Sequence, residues 1–439
     1  MKILFFPSDR GGGFGHVSRC FALAQEAKTR GHSCAFVLSD TKYRARINPW
    51  FPVFIEWQQT SWPVRIPAVL SGILRPKAKK SIPLYLGISG LDYQVIRDGL
   101  VSEQSIRNIL ERYRSVVKTF KPDVLVGDTN FLVWMLSQDI GVPVVQIVRY
   151  ASHPLTAKLI WWENIPKDVV PPNLLTLFNP ILENAGLQHI EKIEDLFRGN
   201  FYIVPSIPDI EPICSDRTEH VGGLLVSGNG QTEGSWSEWL NGSMEVIYVT
   251  IGGGAGPVGN KLFFSSIIEA FADYPAKIIV STGGKFNAAN CGAIPSNIRF
   301  FDWVPGRQVM SKANLVIFHG GHATMMETIA AGKPSIIIPF HTEQEGNGRR
   351  LEQLGCGCVL KLSNEPFEQV NAKCPFGEYS YIVQRRYDLT SSELISTVNK
   401  TLQDSGYSTK AQALQKKVIA HGGPSRAIDI IERFPGAGQ

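Results

Sequence analysis

Residues 315–331 carry the strongest indication of chemistry in this sequence. The apolar run Leu315–Phe318 predicts a buried parallel strand, and Met325–Ala331 predicts a helix. Between them lies His319–Thr324, with the letters HGGHAT. The glycines permit a sharp turn, and Thr324 then stands in the first helical turn, where free N–H groups and the helix dipole favour an anion. The segment predicts a phosphate or diphosphate site; an ordinary turn capped by Thr324 is the alternative.

A polar cluster follows one strand later, at the same predicted edge of the sheet. Ser335–Pro339 predicts another buried strand, and residues 341–345, with the letters HTEQE, come directly after it. In open α/β sheets, ligands bind beyond the carboxyl ends of the strands. The predicted turn would bind an anion, and the polar cluster beside it would bind hydroxyl groups. A diphosphate joined to a sugar would need both.

A glycine loop that ends in a histidine follows the first predicted strand. Lys2–Phe6 predicts the strand, Gly11–His16 the loop and Val17–Arg30 the helix. His16 replaces the third glycine of a G-x-G-x-x-G loop, which weakens an assignment as a dinucleotide-dependent oxidoreductase. Its ring can reach the cleft above the strand edge, and the helix N-terminus disfavours a positive charge on it. His16 is therefore a candidate proton acceptor; the alternative is a histidine that only caps the helix.

The late segment resembles the donor signature of nucleotide-sugar glycosyltransferases with two Rossmann-like domains, which include the UDP-glycosyltransferases and the MurG-like transferases. Its pieces agree in order and spacing: Trp303-Val304-Pro305, His319-Gly320-Gly321, Thr324, Glu327, Ala331-Gly332-Lys333-Pro334, Pro339, Glu343-Gln344 and Asn347. A weaker resemblance runs along most of the chain. It implies an α/β protein of the GT-B architecture, in which two Rossmann-like domains with doubly wound parallel sheets face each other across a cleft.

The length of the chain and the order of its predicted elements agree with this architecture. A chain of 439 residues exceeds what one core usually holds, and its strands alternate with helices as in parallel sheets. We expect an acceptor-binding domain at residues 1–215, a linker region rich in glycine, serine and proline at 216–243, a nucleotide-sugar domain at 244–405 and a helical tail at 406–439 that packs back on the first domain.

The resemblance also implies roles for individual residues. His16 matches the family's catalytic base, and Asp128, at the carboxyl end of the predicted strand Val124–Val126, matches the acid that pairs with it; Asp128 could instead cap the next helix. Glu327 would accept hydrogen bonds from both ribose hydroxyls, which suits UDP better than a deoxyribose donor. The implied donor contacts are Trp303 and Val304 at the base, His319, Gly321, His322, Ala323 and Thr324 at the diphosphate, Glu343 and Gln344 at the sugar, and the loop glycines Gly252 and Gly253.

The implied reaction is an inverting sugar transfer from a nucleotide sugar, with UDP as the expected nucleotide and with no metal ion and no further cofactor. The sequence contains no paired acidic motif of the D-x-D type that would bridge a metal ion to a diphosphate. Two other classes stay open. An epimerase would act on the nucleotide sugar without any acceptor, and a non-catalytic binding protein would keep the late signature and lose His16 and Asp128.

The acceptor is expected to be a hydrophobic small molecule. Residues 50–100 are rich in aromatic and apolar side chains, and Trp161 and Trp162 add further aromatic area. A lipid acceptor at an anionic membrane surface is the alternative, because basic residues are interleaved here: Arg65, Arg75, Lys77, Lys79 and Lys80. A loop that packs only on its own domain is the third possibility. Prolines at 63, 67 and 76 interrupt any long amphipathic helix, which favours the soluble acceptor.

Composition sets the remaining expectations. A net charge of +5 with both signs interspersed argues against nucleic acid as a partner. The seven scattered cysteines predict reduced thiols, and the sequence shows neither a secretory signal nor an apolar run of membrane-spanning length. We expect a cytoplasmic enzyme, with peripheral membrane contact if the acceptor is a lipid.

Overall fold

The computed structural model describes residues 1–11, 13–56, 83–156, 169–226, 234–253, 260–284, 286 and 292–434. Its strands are β1 (Lys2–Pro7), β2 (Ser33–Leu38), β3 (Val53–Ile55), β4 (Tyr85–Gly87), β5 (Val124–Asp128), β6 (Val144–Ile147), β7 (Phe201–Val204), β8 (Thr218–His220), β9 (Glu245–Thr250), β10 (Ala276–Ser281), β11 (Ile298–Phe301), β12 (Leu315–Phe318), β13 (Ser335–Ile337), β14 (Gly357–Val359), β15 (Glu368–Cys374) and β16 (Gly377–Gln384).

Helices follow most of these strands. They are α1 (Gly15–Thr29), α2 (Arg44–Ile47), α3 (Asp92–Arg97), α4 (Glu103–Phe120), α5 (Val133–Ile140), α6 (Leu175–Asn184), α7 (Ser235–Trp239), α8 (Asn260–Phe271), α9 (Gly306–Lys312), α10 (His322–Ala330), α11 (Thr342–Gln353), α12 (Ser391–Gln403), α13 (Ser405–Ala420) and α14 (Gly423–Ile431), with a 3-10 turn at Ile193–Phe197. Within the described ranges, no helix combines the length and the apolar character that a membrane span needs.

Two parallel sheets form the centre of the molecule. The first has seven strands in the order β3-β2-β1-β5-β6-β7-β8, and the second has six in the order β11-β10-β9-β12-β13-β14. Side chains alternate across each strand: Leu4 and Phe6 belong to the core on one face of the first sheet, and Ile3 and Phe5 to the core on the other. Helices cover both faces, so the central strands are continuous apolar runs in the sequence.

The chain returns to its first half at its end. Ala427, Ile428 and Ile431 of α14 are buried in the same core as Val17 of α1. Arg30, directly after α1, donates to Asp429 over 2.7 Å. The first domain therefore covers the apolar face of α14. The C-terminal helix, which follows the second domain in the chain, is in this way anchored on the first domain.

A hairpin from the second half also packs on the first half, a contact that was not predicted from the sequence. Strand β16 pairs with β15 on one side and with β4 on the other, both antiparallel. Tyr379, Tyr381 and Val383 are buried in the core of the first domain. Residues 368–384 lie within the range 244–405 expected for the donor domain, yet they pack on the first domain. The first sheet likewise continues past residue 215, because β8 pairs with β7.

Candidate active site at the domain cleft

The first half of the site is a pair formed by His16 and Asp128. Asp128 ends β5 beside Pro7 of β1, and its carboxylate is fully buried. His16 lies in the first turn of α1, after the glycine loop. Its Nδ1 is 2.8 Å from Asp128 Oδ1, and its side chain remains 31% exposed. The ring therefore has one nitrogen on a buried acid and an accessible side in the cleft.

The turn after Asp128 is strained. Thr129 has a φ of 53°, a left-handed conformation that β-branched residues rarely adopt. Its hydroxyl lies 3.4 Å from Asp128 Oδ1. Backbone strain of this kind clusters at functional sites, and here it fixes the direction in which the chain leaves the carboxylate.

Arg19 joins this pair and was missed in the sequence. Its guanidinium donates two hydrogen bonds to Asp128, from Nε to Oδ2 over 3.0 Å and from Nη2 to Oδ1 over 2.9 Å. The same Nη2 lies 2.8 Å from His16 Nδ1. Only 5% of the Arg19 side chain is exposed. The available signal was its spacing: a residue three positions after His16 shares its face of the helix.

The electrostatics of Asp128 follow from these contacts. Burial alone would raise the pKa of Asp128, but Arg19 and His16 outweigh it and lower that pKa to about 2. Asp128 is therefore an anion at any pH near neutrality. Arg19 Nη2 donates to its Oδ1, and His16 Nδ1 lies within hydrogen-bond distance of the same oxygen.

The second half of the site is the glycine turn between β12 and α10. Gly320 has a φ of 90°, and a Cβ there would lie 2.5 Å from the carbonyl oxygen of Gln344, so only glycine fits. The ring of His319 occupies the space that the missing side chains of Gly252 and Gly321 leave open: a Cβ would meet it at 2.7 Å and 2.4 Å, respectively. The ring of His319, the backbone of Gly252 and Gly321, and the first turn of α10 therefore lie next to one another.

The two halves of the site touch each other. A Cβ at Gly15 would lie 3.6 Å from Cβ of Ala323, in the first turn of α10. The loop that carries His16 therefore packs against the helix start that carries Thr324, which is itself buried. The predicted base and the predicted anion site are neighbours across the cleft.

His322 points toward the first domain. Its Nδ1 lies 3.4 Å from Arg19 Nη1, and its Nε2 lies 4.0 Å from Glu211 Oε1. Burial lowers the pKa of His322 well below its usual value, and the positive charges of Arg149 and Arg19 act in the same direction. The ring is therefore neutral. Its main chain opens α10, but its side chain connects the two domains.

The predicted sugar contacts are held by the protein's own groups. Glu343 Oε1 accepts from Arg149 Nη1 over 2.5 Å and from Asn347 Nδ2 over 2.9 Å. Burial opposes the charge on Glu343, yet Arg149 and its other neighbours lower the pKa of this carboxyl. Gln344 Oε1 accepts from the backbone N–H of Phe340 over 2.9 Å. Arg149 follows β6 in the first domain, so a residue of the first domain holds the side chain of Glu343 in the second.

The predicted nucleoside contacts lie at the far side of the glycine turn. Trp303 is 47% exposed, and Val304 beside it packs on the core of the second domain. A Cβ at Gly253 would lie 3.0 Å from Cη2 of Trp303, so the loop after β9 lies against the indole. Burial raises the pKa of Glu327 to about 7, although Arg307 opposes this shift. Glu327 therefore titrates near neutrality.

Several predictions fall outside the described residues. They concern the aromatic, apolar and basic side chains of the expected acceptor segments: Trp57, Trp62, Arg65, Leu70, Ile73, Leu74, Arg75, Lys77, Lys79, Lys80, Trp161 and Trp162. The expectations for these residues remain predictions.

Comparison with known proteins gives consistent matches. Residues 265–376 match a family described as "Erythromycin biosynthesis protein CIII-like, C-terminal domain". The chain is 24% identical to a PGL/p-HBAD biosynthesis glycosyltransferase of Mycobacterium tuberculosis, over 61% of the chain and 66% of that protein. It is 23% identical to the oleandomycin glycosyltransferase of Streptomyces antibioticus, over 71% of the chain and 68% of that protein.

A solved structure covers the whole fold. The spinosyn rhamnosyltransferase SpnG, complexed with thymidine diphosphate, superposes with a TM-score of 0.66 and 16% identity, over 98% of this chain and 100% of that one. At 16% identity, this match supports a common fold and nothing further. Together with the two parallel sheets, it confirms the predicted architecture of two Rossmann-like domains.

Proposed function

This chain belongs to the nucleotide-sugar glycosyltransferases with two Rossmann-like domains, as its donor signature predicted, and we propose that it transfers the sugar of a UDP-sugar to an apolar acceptor, with inversion and without a metal ion. One observation carries the proposal: His16 is paired with the buried Asp128, and Gly15, the residue before it, lies against the start of α10. The histidine supplies a base and the helix start supplies an anion site. A sugar transfer from a diphosphate needs both within one cleft.

The diphosphate is the leaving group, and the second domain meets its charge. The free N–H groups of the first turn of α10 and the helix dipole favour an anion at this point. Thr324 adds a hydroxyl donor, and His319, seated against Gly252, adds an imidazole. As the bond between the anomeric carbon and the diphosphate oxygen breaks, these fixed donors stabilise the growing negative charge.

The first domain removes the proton of the acceptor. With hydrogen on Nδ1, His16 donates to Asp128 and keeps Nε2 as the acceptor of the incoming hydroxyl's proton. The acceptor oxygen forms the new bond to the anomeric carbon while UDP departs from the opposite face, so the centre inverts. Asp128 stabilises the imidazolium that results, and Arg19 keeps Asp128 ionised.

The proposal of an apolar acceptor rests on the aromatic acceptor segments and on the relatives' names. Those names include oleandomycin, spinosyn and PGL/p-HBAD biosynthesis. The direct test incubates the protein with UDP- and dTDP-sugars, with and without phenolic, macrolide and lipid acceptors, and measures nucleotide release. Release that requires an acceptor is expected. Interconversion of donors without any acceptor would indicate an epimerase, and binding without turnover would contradict the enzymatic proposal.

Donor binding is expected to strengthen as the pH rises through the pKa of Glu327. Burial raises that pKa to about 7, and ribose hydroxyls bind best to the ionised carboxylate. By linkage, the affinity for UDP-glucose should be roughly tenfold higher at pH 8 than at pH 6. Glu327→Gln should weaken binding and flatten this profile. Calorimetry with UDP-glucose is the measurement, because the sugar ester avoids the titration of a terminal phosphate. A flat profile for the native protein would remove Glu327 from the donor site.

Turnover is expected to persist in excess chelator, because fixed donors take the place of a metal ion. Thr324→Ala should weaken UDP binding by about 1.5–3 kcal/mol, the worth of a hydrogen bond to a charged group. Initial rates with and without EDTA, and UDP titrations of the variant, test both statements. Complete loss of activity in EDTA that Mn²⁺ or Mg²⁺ restores would contradict the metal-independent mechanism.

A further inference from the structure

The predicted nucleobase platform is covered by a cation from the other domain. Arg46 is an exposed residue of α2, in the first domain. Its Cζ lies 4.4 Å from the ring centroid of Trp303 and 5.0 Å from that of Phe14. Both distances are within the range of cation–π attraction. The guanidinium thus connects the indole of the second domain with the loop that leads into His16.

The indole is held between two kinds of neighbour. On the side of the second domain, a Cβ at Gly253 would lie 3.0 Å from Cη2 of Trp303, and one at Gly284 would lie 3.4 Å from its Nε1. Gly253 and Gly284 therefore lie against the indole on that side, and Arg46 covers it from the first domain. A base that stacks on Trp303 from the cleft must take the place where this guanidinium now lies.

The guanidinium of Arg46 can move aside for an entering base and can still stack on that base. Within the described part of the chain, Arg46 forms no ion pair with a carboxylate, so its displacement breaks none of the described salt bridges. A guanidinium is planar, stacks on aromatic faces, and carries N–H donors along its edge. A pyrimidine base offers a flat face and carbonyl oxygens, which match these two properties.

We propose that Arg46 is part of the donor site: the nucleobase enters between Arg46 and Trp303 and is stacked on both faces. This inference rests on the proposed function. It means that the acceptor-binding domain also binds the nucleotide. Phe14 touches the same guanidinium and lies two residues before His16. Binding of the base therefore fixes the loop that carries the catalytic base, and donor binding closes the cleft from both sides.

The test compares uridine and UDP binding, by calorimetry, in the native protein and three variants. Arg46→Ala should weaken both ligands by about 5–30-fold, because stacking and cation–π contacts act on the base alone. Arg46→Lys should recover only a small part, since an ammonium is not planar. Arg44→Ala is the matched control: this arginine is exposed on the same helix and should leave both affinities within about twofold. Thermal melts check that each variant is folded.

The outcomes separate this inference from the proposal on which it rests. Unchanged affinity in Arg46→Ala would overturn the inference alone, as would tighter binding, which would make Arg46 a competitor of the base. A loss for UDP but not for uridine would assign Arg46 to the diphosphate and overturn the stacking role. Failure of the native protein to bind UDP at all would overturn both proposals.

Discussion

His16→Ala is expected to slow sugar transfer by roughly 10²–10⁴-fold, the usual worth of general base catalysis, with little change in donor affinity. The reason is geometric. Nδ1 of His16 lies 2.8 Å from Oδ1 of Asp128. The ring is partly exposed in the cleft, near the start of α10. Removal of the ring leaves the anion site of the second domain intact. Steady-state rates and UDP binding, measured on the same variant, separate the two effects.

His32→Ala is the matched control for this experiment. His32 also pairs with a carboxylate, since its Nε2 lies 2.7 Å from Glu432 Oε1, but it precedes β2 at the opposite edge of the sheet. It should keep the native rate. The acceptor should be an alcohol, because a phenol can ionise by itself and hide part of the loss. Near-native turnover of His16→Ala with an alcohol would exclude His16 as the base.

The sequence was sufficient to predict the parts of the site that depend on local order along the chain. His16 and Asp128 each come after an apolar strand, and parallel strands end at one edge, so both could be placed at that edge from the sequence; their pairing was implied by the family resemblance. The glycine turn before Thr324 could also be predicted from the sequence. A strand, a turn and a helix are local features, and the backbone at Gly320 tolerates only glycine.

The parts that the sequence did not predict depend on tertiary contacts. Arg19 looks like a surface residue of an amphipathic helix, and its burial arises only because β5 and α10 approach it from two domains. Arg149 and Glu343 are 194 residues apart in the chain. The hairpin 368–384 has alternating apolar residues that predict strands, but no local pattern indicates that its buried face belongs to the other domain.

Arg19→Met is expected to lower the free energy of unfolding at pH 7 by about 3–5 kcal/mol, as when one partner of a buried ion pair is removed. Asp128 is fully buried. Among the described residues, its Oδ1 would keep His16 as a close polar partner, besides the weak contact of Thr129. Addition of Asp128→Asn should restore part of the loss, because the buried charge is removed. Arg107→Met breaks an exposed pair with Glu103 and should cost less than about 1 kcal/mol.

The pH dependence of these variants tests the same electrostatic argument by its sign. In the native protein the pKa of Asp128 is lowered to about 2. Its pairing therefore contributes stability that is present above the usual carboxyl pKa and is lost as the pH falls toward 2. Burial is already the largest single influence on the pKa of Asp128. Loss of Arg19 removes part of what opposes it and should raise that pKa, so the contribution of Asp128 should then favour folding as the pH falls. Urea unfolding of native protein and Arg19→Met at pH 4, 5.5 and 7 measures the difference. A stability gap that widens with falling pH would contradict the role of Arg19 as the group that keeps Asp128 charged.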